Sequence, residues 1–382
     1  MKPVYEIAAY QPSMKHQVVE LTKLLWSTDS ALNASYLEWK YERNPYRETP
    51  LIYLALCQGK IIGMRGMSGL KWEFGVPAKT FQGLYADDFV IDPEHRNRGL
   101  VTKIMKGAML DVENRGYTYV FNLSAGNITR VASLAMGWRS AGSMHVQCRQ
   151  SGQSDRFRHI RDILKKKELF RRFAKHVSYR PWFPKKLDVD SLIAGQGMLS
   201  RKTDSHIVVE RIARPAEMEK LVSRMEYDGR IRHMRDKHYL SWRFQNPLHR
   251  YLFIYWKEAE LEGYLVLQEY ISDLARRVGF NIVDWEATSS SVRAGLLQKA
   301  IALCSSTELN IWTATLPGET MNLLKDNGFR PVEESAGLAQ SDPCLLIRPV
   351  RDDMLKTEWC LNGHRLLDMA IWDIRMIYSM HG

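Results

Sequence analysis

Residues 85–105 concentrate the groups best suited to chemistry. They read Tyr85-Ala86-Asp87-Asp88-Phe89-Val90-Ile91-Asp92-Pro93-Glu94-His95-Arg96-Asn97-Arg98-Gly99-Leu100-Val101-Thr102-Lys103-Ile104-Met105. That is a hydrophobic strand with two carboxylates, a short Pro-containing loop, and a basic turn opening directly into a helix. The turn has the makings of an anion cradle. Unused backbone N–H groups at a helix N-terminus, the positive end of the helix dipole and the Arg96 and Arg98 guanidinium groups together suit a pyrophosphate. Glycine at 99 lets the backbone approach phosphates closely. Strand alternation sends Asp87 and Asp88 to opposite faces, so at most one of them enters a cleft. The plainer reading of either is a strand-edge carboxylate paired with an arginine.

The elements that must position these groups emerge from an internal repeat. Ser35-Tyr36-Leu37-Glu38-Trp39-Lys40-Tyr41-Glu42-Arg43-Asn44-Pro45 returns as His238-Tyr239-Leu240-Ser241-Trp242-Arg243-Phe244-Gln245-Asn246-Pro247. Each copy follows an amphipathic stretch with helical spacing (17–26 and 216–225) and precedes a strand-like run (51–56 and 251–256). Gly137-Trp138-Arg139 and Gly328-Phe329-Arg330 each close a helical stretch and open a final strand. The chain thus reads as two related α/β units, 1–150 and 205–350, around a connector at 151–204, with an amphipathic extension at 351–382. In the first unit, strands at 83–91 and 117–123 alternate with helices at 99–115 and 128–136, which implies a mixed sheet covered by helices. Trp39, Tyr41 and Asn44 either line an acceptor site or, because their counterparts recur, hold a helix onto the sheet with Asn-Pro as a turn.

The stretch from Ile91 to Val101 resembles the acetyl-CoA motif of the GNAT superfamily of acyl-CoA-dependent N-acyltransferases. That motif is Q/R-x-x-G-x-G/A after a strand ending in Val-x-Pro, and Val101 stands at its final small residue. Phe121-Asn122-Leu123-Ser124-Ala125-Gly126-Asn127 and Leu134-Ala135-Met136-Gly137-Trp138 resemble the second cofactor strand, the Asn before the last helix and the terminal Leu-x-x-Gly-aromatic element. The resemblance covers the first unit. It implies an α/β fold of two tandem GNAT-like domains, each a mixed, mostly antiparallel sheet flanked by helices. It also implies acetyl-CoA as cosubstrate, no metal, and acetyl transfer to a primary amine on a small molecule. On that reading the main chain of Phe89, Val90 and Ile91 pairs with the pantetheine arm. Arg96, Asn97, Arg98, Gly99, Leu100 and Val101 hold the pyrophosphate, and Asn127 contacts the pantetheine from the other side. An ammonium must lose a proton before it attacks, and the family often places an acidic base where Asp88 and Asp87 stand, Asp88 being preferred here. Ser133 occupies the place of the tyrosine that commonly protonates the leaving thiolate, so its hydroxyl or a water takes that part, or the thiolate leaves unprotonated.

The Trp-Lys-Tyr/Asn-Pro element and the Asp-Asp-Phe-Val strand are also similar to a subgroup associated with bacterial surface-polysaccharide biosynthesis. That likeness implies an amino sugar or sugar nucleotide as acceptor. The second copy departs from the motif. Val283-Asp284-Trp285-Glu286-Ala287-Thr288 leads to Ser290-Ser291-Val292-Arg293-Ala294-Gly295 with no Val-x-Pro and no basic pair before the glycine. One donor site per chain is therefore expected. Two other classes stay open. An aminoacyl-tRNA-dependent transferase of similar tandem fold would lack a cradle such as 96–99, and a non-catalytic CoA-binding or scaffold protein would tolerate Val101 and Ser133.

Composition sets the outer limits. With 382 residues, 45% hydrophobic and 25% charged, the chain is ordinary globular protein of about two to three domain lengths. No apolar run approaches the ~18–20 residues of a membrane span, and the first residues read as neither a secretory signal nor a transit peptide. A cytoplasmic location follows as the expectation. Five scattered cysteines without C-x-x-C argue against a disulfide framework and a zinc site. Neither H-E-x-x-H nor G-x-S-x-G occurs, so two common hydrolase classes lose support. The net charge is +11, yet residues 155–186 hold twelve Lys/Arg against three Asp/Glu, so the remainder is nearly neutral. Ile163, Leu164, Leu169, Phe170 and Phe173 fall at near-helical spacing among those charges. Such a segment makes peripheral contact with an anionic membrane, attracts an anionic substrate, or simply connects two units with its charges in water. No nucleic-acid reader motif accompanies it, so no nucleic acid is expected as a partner. An oligomer is compatible with every one of these readings.

Overall fold

The computed structural model describes residues 3–123, 127–150, 206–272, 277–305, 307–332 and 343–379. The basic segment 155–186 lies outside them. The first half contains β1 (Glu6–Ala9), α1 (Lys15–Thr22) and α2 (Ser30–Leu37), which runs into a π-helical turn at Glu38–Glu42. Then come β2 (Leu51–Cys57), β3 (Lys60–Phe74), β4 (Lys79–Ile91), α3 (Leu100–Asn114), β5 (Tyr119–Asn122), α4 (Asn127–Ala135), β6 (Arg139–Ser143) and β7 (Val146–Arg149). The second half repeats the order with β8 (Ile207–Glu210), α5 (Pro215–Arg224), β9 (Arg232–His233), α6 (Lys237–Arg243), β10 (Tyr251–Lys257), β11 (Leu261–Ser272) and β12 (Arg277–Ala287). It ends with α7 (Ser290–Leu303), β13 (Leu309–Trp312), α8 (Gly318–Asp326), β14 (Arg330–Pro331) and β15 (Cys344–Pro349).

Two mixed, mostly antiparallel sheets result, as expected. The first runs β1-β2-β3-β4-β5-β15-β6 and the second β14-β7-β13-β12-β11-β10-β8. In each, a single parallel contact (β4 with β5, β12 with β13) is bridged by a helix, because parallel neighbours need a crossover. On α3, Leu100, Ile104, Ala108 and Val112 recur every four residues and are buried against the sheet, giving the helix its apolar stripe.

The sheets exchange their last strands. β7 pairs with β13 and β14 in the second sheet, while β15 inserts between β5 and β6 in the first. The halves 1–150 and 205–350 describe the repeat along the chain, but neither sheet is complete without a strand from the other half. β15 is buried along its whole length, so the exchanged strand is core and not an appendage.

The repeated Trp elements meet face to face. Trp39 stacks on Trp242 with centroids 4.9 Å apart and planes 11° from parallel. Each indole N–H donates to the other's main-chain carbonyl, at 2.6 and 2.7 Å. A groove of about 510 Å³ opens over this seam, walled by Glu38, Arg43, His238 and Gln245. Asn44 and Asn246 each accept from the amide two residues on (Tyr46 and Leu248), so the Asn-Pro pairs are turns.

Among the described residues past β15 the extension forms no long helix. It makes short 3₁₀ turns at Met369–Ile371 and Met376–Tyr378, and buries Trp372, Ile374, Ile377 and Tyr378 between the halves. Among the described residues no helix is long and apolar enough to cross a membrane.

Candidate active site

Strand β4 is broken in register at the two aspartates. Arg65 faces Phe89 and Gly66 faces Asp87, which leaves Asp88 as the extra residue of a bulge with φ +46°. The bulge overturns the alternation argument, because both carboxylates turn to one side and meet on Lys40. The Lys40 ammonium lies 2.7 Å from Asp87 Oδ2 and 2.6 Å from Asp88 Oδ2, and its side chain has no exposed surface. Burial works against that charge, but the two aspartates outweigh it and hold the ammonium above the ordinary lysine range.

Asp88 also accepts from the Trp26 indole N–H at 2.9 Å and the Tyr41 hydroxyl at 2.6 Å. Burial, followed by the charges of Asp88 and Asp87, raises the Tyr41 phenol well above its usual pKa and keeps it protonated as a donor. Gly66 is obligatory here, since a Cβ at that position would sit 1.9 Å from the Tyr41 hydroxyl oxygen. Asp88 is thus enclosed by donors. Asp87 accepts the Asp88 amide at 3.0 Å and lines a small cavity with Tyr85, Ala86, Asn122, Leu123, Tyr378 and Ser379. Of the two, Asp87 is the one with an opening beside it.

That cavity sits where β4 and β5 part. The strands pair at Leu84–Val120 and Tyr85–Phe121, and Asn122 Nδ2 then bridges to the Ala86 carbonyl at 2.5 Å. From there β4 runs on through Phe89, Val90 and Ile91 without β5 beside it. Arg65, on β3, has its guanidinium 5.6 Å from the Phe89 ring and its Nε without a partner, and burial lowers its pKa.

The loop after β4 takes the conformation its residues imply. Asp92 caps a 3₁₀ turn at Pro93–His95, Arg96 Nε donates to the Ile91 carbonyl at 3.2 Å, and Arg98 donates to the Glu94 carbonyl at 3.2 Å. Asn97 and Gly99 have φ of +60° and +70°, the left-handed region where Asn and Gly cost least. Gly99 caps α3 with no side-chain bond to the helix, so the first-turn amides stay unclaimed. Arg96, Asn97, Arg98 and Gly99 are all exposed. Val101 is partly buried against the core under α3. The cradle therefore fits a phosphate-bearing ligand.

The second copy does not. Ser289 caps α7 and accepts the Val292 amide at 3.3 Å, and Ser290 donates to Glu319 at the same helix end. A carboxylate already stands where an anion would bind.

Ser133 is buried in α4, where its carbonyl accepts the amides of Met136 and Trp138. Asn127 opens α4. Lys40, Trp26 and the Tyr378–Ser379 pair belong to the site but escaped the sequence reading. Lys40 lay in plain view inside the repeat, yet no local signal marks a lysine as buried. Among the described residues no three His, Cys, Asp or Glu come together as a metal site.

Comparison with known proteins agrees with this geometry. Residues 6–131, a third of the chain, match the acetyltransferase (GNAT) domain family. No curated protein matches. Among solved structures, a GCN5-related N-acetyltransferase from Anabaena variabilis ATCC 29413 superposes with TM-score 0.55 at 12% identity, over 91% of this chain and 73% of that one. A conserved Enterococcus faecalis V583 protein, described as a probable N-acyltransferase, does so with TM-score 0.56 at 10% identity, over 91% and 73%. At such identities the likeness is one of fold. These matches liken residues 6–131 to the acetyltransferase (GNAT) domain family and the fold of the whole chain to that of these two structures.

Proposed function

We propose that this protein is an acyl-CoA-dependent N-acetyltransferase with one donor site, acting on a primary amine of a small molecule such as an amino sugar or sugar nucleotide. The observation that carries the reading is the exposed loop and the start of α3, capped by no side chain, that follow a bulged strand parted from its parallel neighbour. The α3 amides with Arg96 and Arg98 hold a pyrophosphate, and the free edge of Phe89, Val90 and Ile91 pairs with the pantetheine arm. Bound there, acetyl-CoA supplies an acetyl group activated as a thioester. Asp87, at the neck of the opening, takes the proton from the acceptor ammonium, and Lys40 fixes where that carboxylate points. Asp88 is the scaffold of the pair.

Calorimetry with acetyl-CoA should give one site per chain, and Arg98→Glu should abolish binding by setting an anion against the pyrophosphate. Two equal sites, or binding unaltered by that change, would refute the proposal. A panel of amines in a thiol-release assay then identifies the acceptor, and release with peptides alone would exclude the sugar assignment. The non-catalytic CoA-binding reading draws on the Lys40 ion pairs, since a carboxylate so neutralised is a weak base. Tight CoA binding with no thiol release from any amine would favour it.

A further inference from the structure

The second sheet parts as the first does. β12 and β13 pair in parallel as far as Ile282–Ile311, and β12 then continues to Ala287 beyond its partner. This second opening is filled by the chain itself. Ile374 donates its amide to Thr315 Oγ1 at 3.0 Å and accepts from the same hydroxyl at 2.9 Å, just past the end of β13. Arg375 donates to the Trp285 main-chain carbonyl on β12 at 2.8 Å and pairs with Asp284 at 3.2 Å and Glu286 at 2.8 Å. The segment 373–375 therefore bridges the two parted strand ends, with one side on each.

Its approach is fixed equally firmly. Ile231 and Trp372 form a parallel bridge, the Asp373 amide donates to the Ile231 carbonyl at 2.9 Å, and Arg230 reaches both the Thr315 and Trp372 carbonyls. Arg235 completes the clasp by pairing with Asp284 at 2.9 Å and Glu286 at 2.6 Å. Beyond it, Arg243, the repeat counterpart of Lys40, holds the Ile377 and Ser379 carbonyls at 2.9 Å each. Tyr378 and Ser379 then reach the cavity beside Asp87.

We infer that residues 372–379 are a resident occupant of the second cleft: the segment takes the place there that a donor's arm takes in the first, and so closes the second fold to acyl donors. The comparison of the two clefts rests on the donor-site reading above; the filling of the second does not. The Trp285 carbonyl and the Thr315 hydroxyl, groups that would serve a ligand in an open cleft, are committed to guanidinium and main-chain partners of this same chain.

Hydrogen–deuterium exchange on the full chain, with and without coenzyme A, tests this. Coenzyme A should slow the amides of residues 97–103 and leave 283–287, 313–315 and 372–378 unchanged. Slowed exchange at 283–287, with or without faster exchange at 373–375, would overturn the inference, because the cleft would then admit the ligand. If coenzyme A slows nothing, the donor site is what fails, and two variants decide the occupant by themselves. Thr315→Val removes both bonds to Ile374 at nearly constant shape, and Arg375→Gln removes the clasp. Each should speed exchange at 283–287 and 374–378 at least tenfold while leaving α3 as it was. Unchanged exchange in both variants would show that the segment does not fill the cleft.

Discussion

A lysine without access to water keeps its charge only where that charge is matched on the spot, and Lys40 is matched twice, by Asp87 and Asp88. Lys40→Met would leave two buried carboxylates facing each other without the ammonium that now bridges them. The expected loss at pH 7 is about 3–5 kcal/mol in urea unfolding. Part of it should return as pH is lowered and a freed carboxylate takes up a proton. A loss under about 1 kcal/mol would mean that water reaches the cluster, as at exposed pairs. The sign for the native lysine follows from its raised pKa. Its stabilisation is fully present below the unfolded value, near 10.4, and is lost only as pH rises through the higher folded value. Stability from this contact should therefore be flat between pH 6 and 10.

At the scale of elements, the repeat serves to join the halves. The two Trp-bearing turns bury their indoles against each other and spend both N–H groups across the seam. Trp39→Ala and Trp242→Ala should each cost about 3–5 kcal/mol. The double variant should cost less than their sum by roughly 0.5–3 kcal/mol, because each single change already removes the shared contact. Additivity within about 0.5 kcal/mol in chemical denaturation would show that the seam is not the source of their stability. The same geometry explains why Trp39 is not free for an acceptor: its face and its donor are both occupied.

For the molecule as a whole, strand exchange removes independent folding units. Tryptophan fluorescence and far-ultraviolet circular dichroism should report one coincident unfolding transition, and separated midpoints would contradict it. Acid should weaken that transition through His233, which stacks on Tyr378 at 3.8 Å and meets the edge of Trp72 at 4.2 Å at the junction of the halves. Burial, then Arg243 and Arg235, push its pKa well below 6.5, so the unfolded chain binds that proton first. Stability is then fully present above about pH 6.5 and declines as pH falls below it. His233→Phe should flatten the decline between pH 6.5 and 5, measured as urea unfolding free energy at each pH. A profile identical to the native one would assign the acid sensitivity elsewhere. Asp373 acts lower on the scale. Burial opposes its charge, but Arg375, Arg235 and Arg230 outweigh it and bring its pKa down from 3.8 to about 2, so its contribution is lost only as pH falls through that range.

The sequence alone determined what depends on near neighbours in the chain. The Asp92-Pro93 turn, the basic turn that opens into α3 at Gly99 and the recurrence of Trp39 as Trp242 are local patterns, and each is found where its spacing put it. The second copy's lack of a Val-x-Pro and of a basic pair before its glycine was legible too. What only the tertiary structure decided depends on contacts between distant residues. The bulge that swings Asp88 to the same side as Asp87 follows from the register of β3 against β4, which no run of residues within β4 reveals. The burial of Lys40, the exchange of β7 and β15, and the path of 372–379 into the second cleft all join segments far apart in the chain. Periodicity measures which face of an element is apolar; it carries no information about which partner will cover that face.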